Sequence, residues 1–155
     1  MRSPTDEILE FVRSIEPLVE FEPAASADDI ESAERSLGIG LPAELRAFLC
    51  GSNGATIGVR LDSGEIIPDA SPLVWSLDEI VRNHGPQRPD PDQPAQVLFF
   101  ANAGLDGVLF GHPIRSSSLV GSDVVVWHPI LGELDVAAPS FRAWLEAWLT
   151  GALGV

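Results

Sequence analysis

The sequence predicts an α+β fold, a single domain in which N-terminal helices and a C-terminal helix pack against one mixed, mostly antiparallel sheet. Apolar residues recur at helical spacing up to about residue 50 and again after residue 140. Between these regions, short apolar runs alternate with turn residues, which is typical of strands. A chain of 155 residues can bury one sizeable core, so two independent domains are not expected.

Capping residues define the first two helices. Ser3 can cap a helix that opens with Pro4, because a hydroxyl accepts from free backbone N–H groups and proline suits the first helical position. Ser26 repeats this start for a helix over residues 27–37, which Gly38 can end in a left-handed conformation. We therefore expect residues 1–25 to form an N-terminal helix and linker, and residues 26–155 to form the main part of the same domain.

The rest of the chain divides into short elements separated by glycine, proline and capping serines. In order, the sequence predicts a helix opened by Pro42, a hairpin of residues 55–61 and 65–68, a helix from Ser76 to about His84, a surface loop over 85–94, strands over 97–101, 108–111, 123–128 and 133–138, and a helix capped by Ser140.

The charge balance is strongly acidic, with 9 basic residues, 23 acidic residues and a formal net charge of -14. Nucleic acid and anionic membranes are poor partners for such a surface, because their phosphates would be repelled. A basic protein would be attracted, although acidity can also serve only to keep a protein soluble. No segment has the apolar core of a signal peptide or the length of a membrane span, so we expect a cytoplasmic protein.

Catalytic and metal-binding patterns are weak. The three histidines match no compact zinc motif, and the single cysteine, Cys50, lies near the end of a predicted helix, where the dipole disfavours a thiolate. Asp106 could act as a base or bind a cation, but an aspartate beside Gly107 is more simply a turn residue. We predict no cofactor and no metal, and a buried or semi-buried structural role for the thiol.

Three blocks of sequence together resemble the SUKH superfamily, which includes Smi/Knr-type cell-wall regulators and bacterial immunity proteins. The blocks are residues 30–54, with Gly38-Ile39-Gly40-Leu41-Pro42 at their centre, residues 98–107, and residues 124–145, which contain Val124-Val125-Val126-Trp127-His128. Many similar bacterial members have an acidic cluster after that tryptophan. Here the chain reads His128-Pro129-Ile130-Leu131-Gly132, so we expect a more apolar patch and a different partner.

The resemblance implies a non-catalytic protein-binding module, most concretely an immunity protein that binds and neutralises a basic toxin domain. A regulatory scaffold in a multiprotein assembly is the alternative, and a small hydrolase or transferase is a third. The candidate contact residues lie on predicted strand ends and turns. They are Trp75, Asn102, Asp106, Trp127, His128, Ile130 and Glu133. The oligomeric state stays open.

Overall fold

The structure is a computed structural model that describes residues 3–84, 92–104, 107–116 and 120–153. Within these residues it contains five helices and seven strands, which confirms the predicted α+β class and the C-terminal helix. In chain order the elements are α1 (Pro4–Ile15), β1 (Val19–Phe21), α2 (Ala27–Leu37), α3 (Ala43–Leu49), β2 (Ala55–Arg60), β3 (Ile66–Val74), α4 (Leu77–Arg82), β4 (Val97–Asn102), β5 (Leu109–Pro113), β6 (Val124–His128), β7 (Glu133–Ala138) and α5 (Phe141–Leu149).

The strands form two antiparallel sheets, with orders β1-β2-β3 and β4-β5-β6-β7, rather than the single mixed sheet that the sequence predicts. Short connections of four to six residues join β2 to β3, β4 to β5 and β6 to β7, and such connections favour antiparallel pairing. The sheets meet where the backbone N–H of Trp75, just after β3, donates to the C=O of Phe100 in β4 at 2.8 Å.

Helix ends lie where the capping residues predict them. The hydroxyl of Ser26 accepts from the N–H of Asp29, whose carboxylate accepts in return from the N–H of Ser26, so α2 begins with a complete capping box. Gly38 ends α2 with φ 74°, a left-handed conformation that a residue with a Cβ adopts at a cost. The hydroxyls of Ser3 and Ser140 cap α1 and α5 by accepting from the N–H groups of Asp6 and Ala143.

Two elements differ from the prediction. β1 lies in the segment predicted to be a linker, because a strand of three residues has too little alternation to be seen in the sequence. β3 continues to Val74 through Pro68 and Pro72, which is tolerated because β3 is the last strand of its sheet and proline cannot donate to a further strand. Of the predicted loop over 85–94, residues 85–91 lie outside the described residues.

Aromatic side chains join α5 to the four-stranded sheet. The ring of Trp144 lies 4.9 Å from that of Phe100 and 5.2 Å from that of Phe110, and Phe141 contacts Phe48 of α3 at 5.8 Å. All five residues are buried. Helix α5 therefore covers the face of the sheet on which Phe110 lies, and this fixes which side of β6 and β7 faces the core.

Candidate partner-binding surface

Four of the seven predicted contact residues lie in one β6–β7 hairpin. Trp127 pairs with Leu134 and His128 with Glu133, and the turn between the strands holds Ile130. The N–H of Gly132 donates to the C=O of His128 at 2.8 Å, and its φ of 67° is a left-handed value that suits glycine. This turn closes the hairpin and places the residues before Gly132 at its tip.

The hairpin exposes large apolar side chains. We call this set the hairpin patch, and its members with their exposed fractions are Ile130 (75%), Leu131 (67%), Leu134 (44%) and Val136 (71%). Burying apolar surface is favourable by about 25 cal/mol per Å². Large aliphatic side chains exposed as a group are therefore typical of an interaction site. The apolar patch expected from Ile130 and Leu131 is therefore present, and it extends along β7.

The two tryptophans predicted as anchors are buried. Trp75 is 5% exposed and Trp127 is 8% exposed, so neither offers a useful contact area to a partner. Trp127 lies in a strand whose first four residues are all buried, and Trp75 follows directly after two buried residues of β3. The anchor role predicted for them needs correction, because sequence alone does not separate a core tryptophan from a surface one.

The remaining predicted residues have different surroundings. Asn102 is half-buried, and its side-chain oxygen accepts from the N–H of Gly104 at 3.0 Å, which is a local turn interaction. It ends β4 on the same side of the sheet as Trp127, because both residues pair with Leu109. His128 is half-buried and Glu133 is exposed. Asp106 lies outside the described residues.

Leu131 is part of the predicted apolar patch but not of the predicted contact residues, and neither prediction includes Leu134 or Val136. A signal was available for the last two, since residues 133–136 alternate acidic and apolar side chains and so predict a strand with one apolar face. It could not show that this face is exposed, because that depends on which elements cover the sheet.

Charge around the hairpin patch is of one sign. From residue 124 to residue 141 the sequence contains two acidic residues, Glu133 and Asp135, and no arginine or lysine. Both acidic residues are exposed. Asp123, just before β6, is engaged by Arg115 at 2.7 Å. The patch therefore combines apolar surface with two exposed carboxylates along β7 that form no ion pair with another described residue.

Comparison with known families gives one match, a model described as the SMI1 / KNR4 family (SUKH-1), over residues 24–147. That range covers well over half of the chain and includes α2, the strands from β2 to β7 and most of α5. The chain belongs to the SMI1/KNR4 (SUKH-1) family. No curated protein matches it. The family assignment confirms the resemblance seen in the three sequence blocks, and the match includes the hairpin patch.

This SUKH-1 domain exposes a second apolar area at the end of the β2–β3 hairpin. Its members are between 39% and 44% exposed, and they are Val59, Leu61, Ile66 and Ile67. The area lies in the other sheet and is flanked by Arg60 as well as by Asp62 and Glu65, so its charge is mixed. It therefore differs from the hairpin patch in both exposure and charge.

His112 is the main titratable group inside the SUKH-1 core. It is fully buried in β5, its Nδ1 lies 2.9 Å from the C=O of Asp123, and its ring lies 5.1 Å from that of Phe100. A carbonyl only accepts, so Nδ1 carries the proton in the neutral ring, and Nε2 has no hydrogen-bond partner within the described residues. Burial lowers the pKa of His112 to about 4, and the carbonyls of Asp123 and Gly121 and the carboxylates of Asp123 and Glu44 partly oppose this. The ring is a neutral core residue near pH 7.

The groove between α2 and α4 has polar residues that already serve the fold. It has a volume of about 760 Å³. Asp29 belongs to the capping box of α2, and Asn53 accepts from the N–H of Leu77 at 2.8 Å, at the start of α4.

Cys50 is exposed rather than buried or semi-buried. Within the described residues, no group of three or more histidine, cysteine or acidic side chains is arranged to hold a metal, and no helix could span a membrane.

Proposed function

We propose that the chain is a non-catalytic protein-binding module, and specifically an immunity protein that binds and neutralises a cognate toxin. The observation that carries this proposal is the hairpin patch, an exposed apolar surface on a hairpin whose own charged residues, Glu133 and Asp135, are both acidic. Apolar contact supplies affinity at the centre of a protein interface, and complementary charge raises the encounter rate and the specificity. Membership of the SMI1/KNR4 family is consistent with an immunity or a regulatory role.

The toxin would be a basic protein domain. A net charge of -14 attracts basic surfaces and repels acidic ones over about 8 Å at physiological ionic strength. A toxin domain that acts on nucleic acid would carry a basic surface of the kind that this charge complements. We also propose a cytoplasmic location, which is consistent with a chain whose single cysteine allows no intramolecular disulfide.

The experiment is capture of partners by tagged protein from its native cell, with mass spectrometry and a toxicity assay. We expect one dominant basic partner whose toxic activity falls when the purified protein is added in equal amount. The matched variants are Ile130→Asp in the hairpin patch and Leu61→Asp in the β2–β3 hairpin. Loss of neutralisation with Ile130→Asp alone supports the proposal, and a dominant acidic partner would contradict it.

A regulatory scaffold is the second candidate, and the area around Leu61 favours it. A scaffold needs two separate surfaces, and the two exposed apolar areas lie in different sheets. Under this alternative, capture would recover several proteins, and Ile130→Asp and Leu61→Asp would each remove a different subset. One partner lost with one variant supports the immunity role instead.

A further inference from the structure

β7 is an open edge of the four-stranded sheet. It is the last strand in the order β4-β5-β6-β7, and no other strand pairs with it within the described residues. It has six residues and contains no proline. An edge of this kind presents unpaired backbone N–H and C=O groups, which can accept a further strand.

The other sheet edges are less able to accept a strand. β1 has only three residues, and β3 contains Pro68 and Pro72. β4 already accepts a backbone hydrogen bond at Phe100 from Trp75. Short edges, prolines and covering segments are the usual means by which sheets avoid further pairing. Among the strands described, β7 is therefore the edge best suited to strand addition.

Side chains of β7 alternate between two chemistries. Leu134 pairs with Trp127, whose partner on the other side is Leu109, so these residues share the face opposite α5. Asp135 pairs with Val126, which pairs with Phe110, so it lies at the border of the face that α5 covers. A strand added to β7 would meet apolar side chains on one face and carboxylates on the other.

Charge decides which occupant fits. A second copy of this chain paired through β7 would bring Glu133 and Asp135 close to their counterparts, in addition to opposing two molecules with a net charge of -14 each. Like charges across a strand pair are destabilising, and opposite charges are stabilising. The acidic residues therefore protect β7 against self-association and favour a basic strand.

We propose that an extended segment of the partner, with alternating apolar and basic side chains, adds to β7 as a fifth strand of this sheet. The inference rests on the proposed function and specifies its binding mode. The apolar side chains of the segment lie beside Leu134 and Val136, and the basic ones lie beside Glu133 and Asp135. Backbone hydrogen bonds supply affinity, and the alternate side chains supply specificity, as in other cases of strand addition.

The test uses the full chain and a synthetic heptapeptide of alternating valine and arginine with blocked ends. We expect nuclear magnetic resonance shifts and slowed hydrogen exchange at the amides of β7. The double substitution Glu133→Lys/Asp135→Lys should weaken binding about tenfold or more, since two opposite-charge pairs become like-charge pairs. The matched control Asp62→Lys/Glu65→Lys makes the same charge change at the β2–β3 hairpin and should leave the affinity within about twofold of the wild type, because any residual effect is screened over distance.

Two further peptides separate strand addition from simple charge attraction. A peptide of the same sequence with methylated central amide nitrogens keeps its side chains but loses backbone donors, and it should not bind. A peptide of alternating valine and glutamate should not bind either. Equal binding of the methylated peptide, equal weakening by the two double variants, changes confined to the β2–β3 hairpin, or no binding of the valine–arginine peptide would each overturn strand addition.

The same variants distinguish this inference from the proposed function. A captured toxin that binds the Glu133→Lys/Asp135→Lys variant as tightly as the wild type would overturn strand addition and leave toxin binding intact. A protein that captures no partner would refute the proposed function itself.

Discussion

Acidification should destabilise the protein through His112. The ring is fully buried, and protonation would place a positive charge away from water that the carbonyls of Asp123 and Gly121 and the nearby carboxylates offset only in part. The folded state therefore resists protonation, whereas the unfolded chain takes up the proton near pH 6.5. Between pH 6.5 and about 4 the unfolded state binds more protons, so stability falls as the pH is lowered through this window.

The size of the effect follows from the two pKa values. A shift from 6.5 to about 4 corresponds to a loss of about 3 kcal/mol once the pH is below both values, at about 1.4 kcal/mol per unit. At pH 5 the loss relative to pH 7.5 is about 2 kcal/mol. For a chain of this length, that lowers the melting temperature by about 4–8 °C. The effect levels off below pH 4, where both states are protonated.

The assay is urea denaturation at several pH values between 7.5 and 5, at constant ionic strength. Carboxylates also titrate toward the acid end, so the informative quantity is the difference between the wild type and His112→Gln, whose pH dependence should be smaller by about 2 kcal/mol at pH 5. His128→Gln, in β6, is the matched control and should keep the wild-type dependence. If His112→Gln does not fold, the resonance of the His112 ring in the wild type reports its pKa directly. Equal pH dependence in all three proteins, or a ring that titrates near 6.5, would refute the reasoning.

Four further predictions test the fold and the partner. Gly38→Val should lower the free energy of unfolding by about 1 kcal/mol or more through its left-handed φ alone, because a Cβ there meets no atom within 4 Å. Gly38→Asn should lower it less. An unchanged urea midpoint for the valine variant would contradict this. Gly111→Ala should lower the free energy of unfolding by more than about 2 kcal/mol, because its Cβ would lie 2.6 Å from the carbonyl oxygen of Leu98. A melting temperature within error of the wild type would disprove that contact. Calorimetry with and without a chelator should give the same melting temperature, and a large loss on chelation would reveal a structural metal. The association rate with a basic partner should fall about tenfold between low and physiological salt while dissociation changes less, and a salt-independent rate would remove electrostatic steering.

Local chemistry explains which parts of the fold could be predicted. Ser26, Gly38 and Ser140 act on the nearest backbone groups, so their effect on helix ends is contained in a few consecutive residues. The apolar run at β4 predicts a strand buried on both faces for a similar reason, because its apolar character is contained in consecutive residues. β1 could not be predicted, because a strand of three residues is recognisable only by its pairing with β2.

The candidate surface depended on information that the sequence does not contain. Trp127 and Val136 are both large apolar residues of strands, yet one is 8% and the other 71% exposed. Both residues lie on the face of the sheet opposite α5, and the difference arises because β6 lies between two strands whereas β7 lies at the edge. The sequence therefore favours the tryptophans as anchors, whereas in the structure the exposed aliphatic residues of the β6–β7 hairpin form the patch.

The sequence by itself determined the α+β class, the family, the helix boundaries and the acidic charge balance of the chain, in which every basic residue is arginine. These properties depend on composition and on interactions between residues close together in the chain. Only the tertiary structure decided that the strands form two sheets, that His112 is buried, that Trp75 belongs to the core and that β7 is an open edge. Each of these depends on contacts between distant segments, because burial and strand order are set by which surfaces meet when the whole chain folds.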